Sequence, residues 1–160
     1  MSDQDYMKLA IELSDTALSS GELPFGAVVV MDGKIISESG NKTRHKQDVS
    51  RHAEIEALTL AQKFLSPEEL MSCTLYSTVE PCPMCSFVVR ELKLKRVVFA
   101  MPSPVMGGYS KFPILKDEGL STNIPKYFGP PPEVVDGVLE KEAEAVWQKR
   151  EELKALGKVK

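Results

Sequence analysis

Two short stretches of the chain carry side chains able to bind a metal and move protons. They are His52-Ala53-Glu54 and Pro81-Cys82-Pro83-Met84-Cys85. One imidazole and two thiolates form a ligand set that suits zinc, and three protein ligands leave the fourth position open, as a catalytic zinc site requires. Cys82 and Cys85 are three apart on what reads as a first helical turn, so they share a face. The positive end of that helix favours the thiolate form. A lone Cys-x-x-Cys could otherwise be a redox pair or half of a zinc knuckle. The first wants a thioredoxin-like context and the second another Cys or His pair, and the chain offers neither. Cys73 and His45 have no partners at suitable spacing. Glu54 then stands as a carboxylate beside the ligands, the residue type for general acid/base work. Residues two apart do not face one another inside a helix. His52 and Glu54 can therefore serve one site only if it sits off the start of a helix.

The pattern around these residues predicts elements that would place them there. Tyr6 to Ser19 has a helical apolar stripe, stopped by Ser20-Gly21. Ala27 to Met31 reads as a buried strand, with Asp32-Gly33 as a tight hairpin turn into Ile35-Ile36-Ser37. Gly40 to Ser50 is polar and aperiodic, a loop. Ala53 to Leu65 is helical, and Ser66-Pro67-Glu68-Glu69 has the layout of a capping box starting a further turn. Cys73 to Val79 alternates as a strand, Pro83 to Leu92 reads as a helix, and Arg96 to Ala100 as another buried strand. Met101 to Gly108 and Tyr127 to Pro132 are breaks rich in Gly or Pro, and Val138 to Leu156 is a long charged helix around Trp147. Trp147 reads as a packing anchor, and Cys73 as a buried strand residue. Strands alternating with helices imply a sheet covered on both faces. The expectation is an α/β fold: three layers, α/β/α, around a mixed sheet.

The chain has 160 residues, 42% apolar and 27% charged, which suits one domain over residues 1–160. Its net charge is −3 and its pI about 5.5, so overall positive charge is not its means of holding nucleic acid. Lys42, Arg44, Lys46 and Arg51 make a basic cluster before the site, read here as a solvated loop. The longest apolar run, Phe25 to Met31, is far short of a bilayer span. The first residues are acidic, unlike a secretory signal. A soluble, cytoplasmic protein with no membrane partner is the expectation.

The arrangement H-x-E…P-C-x-x-C is the signature of zinc base deaminases. On it, the chain resembles the cytidine/deoxycytidylate deaminase superfamily, and within it the branch of guanine, cytosine and tRNA-adenosine deaminases. Leu23 to Val28, Gly40-Asn41, His52 to Leu58 and Tyr76 to Cys85 carry the resemblance, which covers about Asp5 to Ala100. It implies a cytidine deaminase-like fold and a resident Zn2+ on His52, Cys82 and Cys85. It also implies Glu54 as the catalytic acid/base, and Asn41, Ala53 and Phe25 as substrate contacts. A homodimer is implied as well. Zinc lowers the pKa of a bound water to about 7, and Glu54 would move protons from water to the ring nitrogen and the departing amine. The acidic balance argues for a free aminoheterocycle, with a guanine-like base first, over the wobble adenosine of tRNA. A third reading, a zinc-bound interaction module without turnover, is set against by Glu54 and the open ligand position.

Overall fold

A computed structural model describes all 160 residues. The chain folds as α1 (Asp3–Ser19), β1 (Gly26–Met31), β2 (Lys34–Gly40), α2 (Ala53–Ala61), α3 (Pro67–Leu70), β3 (Thr74–Val79), α4 (Pro83–Glu91), β4 (Arg96–Met101), α5 (Glu118–Asn123), β5 (Glu133–Val135) and α6 (Glu140–Ala155). The five strands lie in the order β2-β1-β3-β4-β5. β1 pairs antiparallel with β2 and β3, whereas β3–β4 and β4–β5 are parallel. This is the expected mixed sheet in three layers.

Two apolar clusters show what covers each face. Val28, Val30, Tyr76, Val98 and Ala100 point to one side, where Tyr6, Met7 and Ala10 of α1 and Ala143 of α6 cover them. Ala27, Val29, Leu75, Val97 and Phe99 point to the other, under Ala57, Leu58 and Ala61 of α2 and Val89 of α4. The period of two along each strand sorts residues between these faces. Five of the six residues of β1 and five of the six of β4 are apolar, on both faces, in the way a doubly covered sheet demands.

Local chemistry explains several boundaries. Asp32 and Gly33 both take positive φ, 50° and 76°, as a two-residue hairpin turn needs. Ser66 and Glu69 form the expected capping box at α3. A second such box, Ser2 with Asp5, starts α1 three residues earlier than the apolar stripe predicts. α2 stops at Ala61, four residues short of the predicted end. β5, α5 and a 3-10 turn at Ile114–Lys116 lie where the sequence pattern predicts only irregular chain. β5 is three residues long and follows three prolines, too short to show alternation.

The sheet has two chemically different ends. At the start of β4, Arg96 makes two bonds of 2.7 Å to the Asp3 carboxylate, which also accepts from Tyr76 Oη at 2.7 Å. At the other end meet the residues before β1, those after β2, β3 and β4, and the N-termini of α2 and α4. Ligands of open α/β sheets bind at such carboxyl ends. No helix is long and apolar enough to cross a membrane.

Candidate metal and catalytic site

His52 is the residue immediately before α2, and Cys82 the residue immediately before α4. Both have extended backbone there, and neither side chain caps its own helix, which leaves their lone pairs for another partner. Pro83 fixes the first turn of α4, and Cys85 lies three residues on from Cys82, fully buried. The helix-start placement inferred from the His52/Glu54 spacing is thus the one the fold adopts.

His52 Nδ1 stands 3.5 Å from Cys82 Sγ and 3.6 Å from Cys85 Sγ. The donor atoms of all three residues lie within 4.8 Å of one another. In a tetrahedral zinc site with Zn–S of about 2.3 Å and Zn–N of about 2.0 Å, neighbouring N and S atoms stand about 3.5 Å apart. The three donors thus have both the chemistry and the separation that zinc needs. The two thiols share protons unequally. Cys82 is pulled down to about 4 by the hydrogen bond from Cys85, helped by His52, against the opposing effect of burial. Cys85 is pushed far above the ordinary range by the same bond and by burial. The Cys82 thiolate in turn raises the His52 imidazole above its usual value.

Glu54 follows His52 by two residues and is buried, 4% exposed. Burial raises its carboxyl above the usual range, opposed by backbone and Ser77 hydrogen bonds. Ser77 Oγ lies 3.0 Å from Glu54 Oε1 and 2.6 Å from the Val79 carbonyl, so its one proton serves either. Sequence reasoning missed Ser77. Its signal was a hydroxyl on the α2-facing side of β3, in step with Leu75.

Glu54, His52 and Cys82 open onto a cavity of about 270 Å³, whose walls include Phe25, Glu80, Met106 and Trp147. Trp147 of α6 packs edge-on to Phe25, ring centres 5.2 Å apart. It is the packing anchor expected, and it is also a wall of the cavity. Asn41 lines an adjoining cavity of about 220 Å³, which shares Phe25 and His52 with the first. Its Nδ2 donates to Glu22 Oε2 at 3.1 Å and Thr43 Oγ1 at 2.9 Å. The Glu22 carboxylate also accepts from the amides of Arg44 and His45. Burial opposes its charge, yet the hydrogen bonds from His45 and Arg44 hold it below the usual range. Ala53 is fully buried in the core beneath α2 and is not part of the cavity wall. In the basic cluster, Lys46 pairs with Glu56 at 2.7 Å, Arg51 with Asp48 at 3.3 Å, and Arg44 donates to the Gly21 carbonyl.

Known proteins bear on this arrangement. Residues 1–101 match the model of the cytidine and deoxycytidylate deaminase zinc-binding region. A tRNA-specific adenosine deaminase of Haemophilus influenzae is 35% identical, over 98% of this chain and 89% of its own. A solved tRNA:A34 deaminase, which edits A to I at the wobble position of transfer RNA, superposes with a TM-score of 0.76. It is 32% identical, over 89% of this chain and 98% of that one. The structure of a guanine deaminase from Bacillus subtilis reaches 0.61 at 37% identity, over 64% of this chain and 66% of that one. A family-wide match over the ligand-bearing half, on top of a donor set spaced for zinc, settles the class: the chain belongs to the cytidine and deoxycytidylate deaminase family, as a zinc-dependent hydrolytic deaminase.

Proposed function

We propose that the protein converts adenosine to inosine in tRNA. The observation that carries this is the reach of the likeness. The Haemophilus influenzae tRNA-specific enzyme keeps 35% identity over 98% of the chain, whereas the Bacillus subtilis guanine deaminase reaches 37% over only 64% and a Nitrosomonas europaea guanine deaminase covers 93% at only 22%. The stretch after Ala100, where the sequence motifs end, thus has counterparts among tRNA deaminases. This reading takes first place over the free guanine-like base that net charge favoured. A charge of −3 counts the whole molecule, including Glu140, Glu142, Glu144, Glu151 and Glu152 on α6. Binding depends on local charge, and Lys42, Arg44, Lys46 and Arg51 belong to the loop that leads to His52 and supplies Thr43 and Val49 to the cavity beside Asn41. A free guanine-like base stands as the second reading, favoured by the 37% identity to the guanine deaminase.

In the mechanism proposed, His52, Cys82 and Cys85 would hold the zinc, which would supply Lewis-acid charge and lower the pKa of a water at the site to about 7. Glu54 accepts the proton of the attacking water. It passes that proton to the ring nitrogen beside the amino-bearing carbon, then takes the second from the hydroxyl newly bonded to that carbon and gives it to the departing amine, so the products are inosine and ammonia. Asn41 and Phe25 would orient and pack the base, whereas Ala53, buried in the core, is out of its reach. We take residues 1–160 as one deaminase domain, since α1 and α6 close the same face of one sheet. We further infer a homodimer, in which the exposed Met84 and Phe87 of α4 are covered by a second copy.

The test sets a tRNA with adenosine at the wobble position beside free guanine, cytosine, adenine and their nucleosides. Inosine should form in the tRNA, with apparent affinity falling as salt rises, at a log–log slope of about −0.7 per phosphate contacted on single strands. Ammonia release from guanine, with no inosine in tRNA, would hand first place to the second reading.

A further inference from the structure

Glu80 follows β3, two residues before the first zinc-ligating cysteine, and borders the cavity, but its carboxylate is bonded to the loop after β4 and not to the ligands. Its side chain is 3% exposed. Oε1 accepts from the Ser103 amide at 3.1 Å and from Ser110 Oγ at 2.8 Å. Oε2 accepts from the Tyr109 and Ser110 amides at 3.1 and 3.0 Å. A carboxylate offers about four lone-pair sites, so these four donors fill it. All of them come from the single segment between Ser103 and Ser110.

That segment is gathered around the carboxylate backbone first. The Gly107 amide donates to the Ser103 carbonyl at 2.7 Å, and the Gly108 amide to the Pro81 carbonyl at 2.8 Å. A Cβ at Gly107 would overlap Glu80 Oε2, so only glycine permits this approach. The outer side of the same segment supplies Ser103 and Met106 to the cavity wall, beside Pro102. Met106 is 61% exposed, so little packing besides this internal knot holds it.

We propose that Glu80 is a positioning residue for substrate binding: its carboxylate fixes the 103–110 loop as one wall of the cavity and takes no part in proton transfer. The proposal needs deaminase activity alone, not tRNA as the substrate. Glu80→Gln keeps the size of the side chain. It also turns one acceptor oxygen into an NH2 group, which faces N–H and O–H donors and leaves at least one of them unpaired.

The experiment compares zinc-loaded wild type with Glu80→Gln and Ser110→Ala. It reads zinc per chain, hydrogen exchange across 103–110, and kcat and KM for whichever of tRNA or free base the wild type converts. In Glu80→Gln the zinc content should hold, and the amides of Ser103, Tyr109 and Ser110 should exchange at least about tenfold faster. KM should rise about tenfold with kcat within about threefold. Ser110→Ala removes one donor from an exposed loop position and leaves the core untouched. It should raise KM in the same direction by about two- to threefold even if Glu80→Gln does not fold. Unchanged exchange and KM, or a loss confined to kcat, would overturn the proposal. If the wild type converts no tRNA, the tRNA reading fails while the exchange measurement still decides the role of Glu80.

Discussion

Glutamine at position 54 would keep the volume and the contact with Ser77 but could no longer take up a proton. Glu54 is not among the three clustered donors, so the zinc should stay. Glu54→Gln should therefore hold one zinc per chain and the wild-type melting temperature while kcat falls about 10²–10⁴-fold. Cys82→Ala should instead lose the metal, because two donors remain of three. Elemental analysis beside a turnover assay separates the two outcomes. A Glu54→Gln enzyme of normal rate would refute the proposed acid/base role. At this scale the sequence was most readable where chemistry fixes residue type. A Cys-x-x-Cys at a helix start has few other uses, so the donor set stood out. Ser77 did not, because a serine in a strand carries no spacing signal until the fold brings α2 across it.

Arg90 shows the same divide among the elements. It sits near the end of α4, 1% exposed. Its guanidinium donates to the carbonyls of Ile114 (2.6 Å), Asp117 (2.7 Å) and Gly129 (3.0 Å). It thereby pins the 3-10 turn, the start of α5 and the chain leading to β5. Hydrogen bonds to charged groups contribute about 1.5–3 kcal/mol each, and buried carbonyls left unpaired cost more. Arg90→Met should thus lower unfolding free energy by about 3 kcal/mol or more, measured by urea titration. Exchange should rise first across 114–129, with the zinc retained. Elements built by local rules were legible: the Asp32-Gly33 hairpin and the Ser66 capping box need only their own neighbours. Residues 102–135 were not, because that stretch is ordered by distant donors and acceptors, Glu80 and Arg90. No periodicity within it announces either one.

Across the whole molecule, the three layers followed from the alternation of strands and helices, while net charge pointed to a free base and the relative aligned over 98% of the chain is a tRNA deaminase. Charge sums are blind to where the charges lie. The Asp3–Arg96 pair allows a sharper electrostatic test. The Arg96 hydrogen bonds beside Asp3, aided by Tyr76 and opposed by burial, hold its carboxyl below the usual range. A carboxyl depressed on folding stabilises the fold above its unfolded pKa, about 3.9, and that stability is lost as pH falls through the folded value. Asp3→Asn should lower the urea midpoint at about pH 6, and the gap from wild type should close towards about pH 3. A gap of equal size at both pH values would show that the pair contributes nothing through charge.

That pair lies at the end of the sheet remote from the cavity. The two ends share the same strands but not the same duties. Substitutions around Asp3, Tyr76, Arg96 and Glu133 should therefore change how long the molecule survives heat or acid and leave the substrate it accepts alone. Those at Ser103 and the exposed Met106, on the rim of the cavity, should do the reverse. Such a division lets a lineage wander in substrate preference without first surrendering its thermal tolerance. An engineer could likewise harden one end of the sheet and then randomise the other.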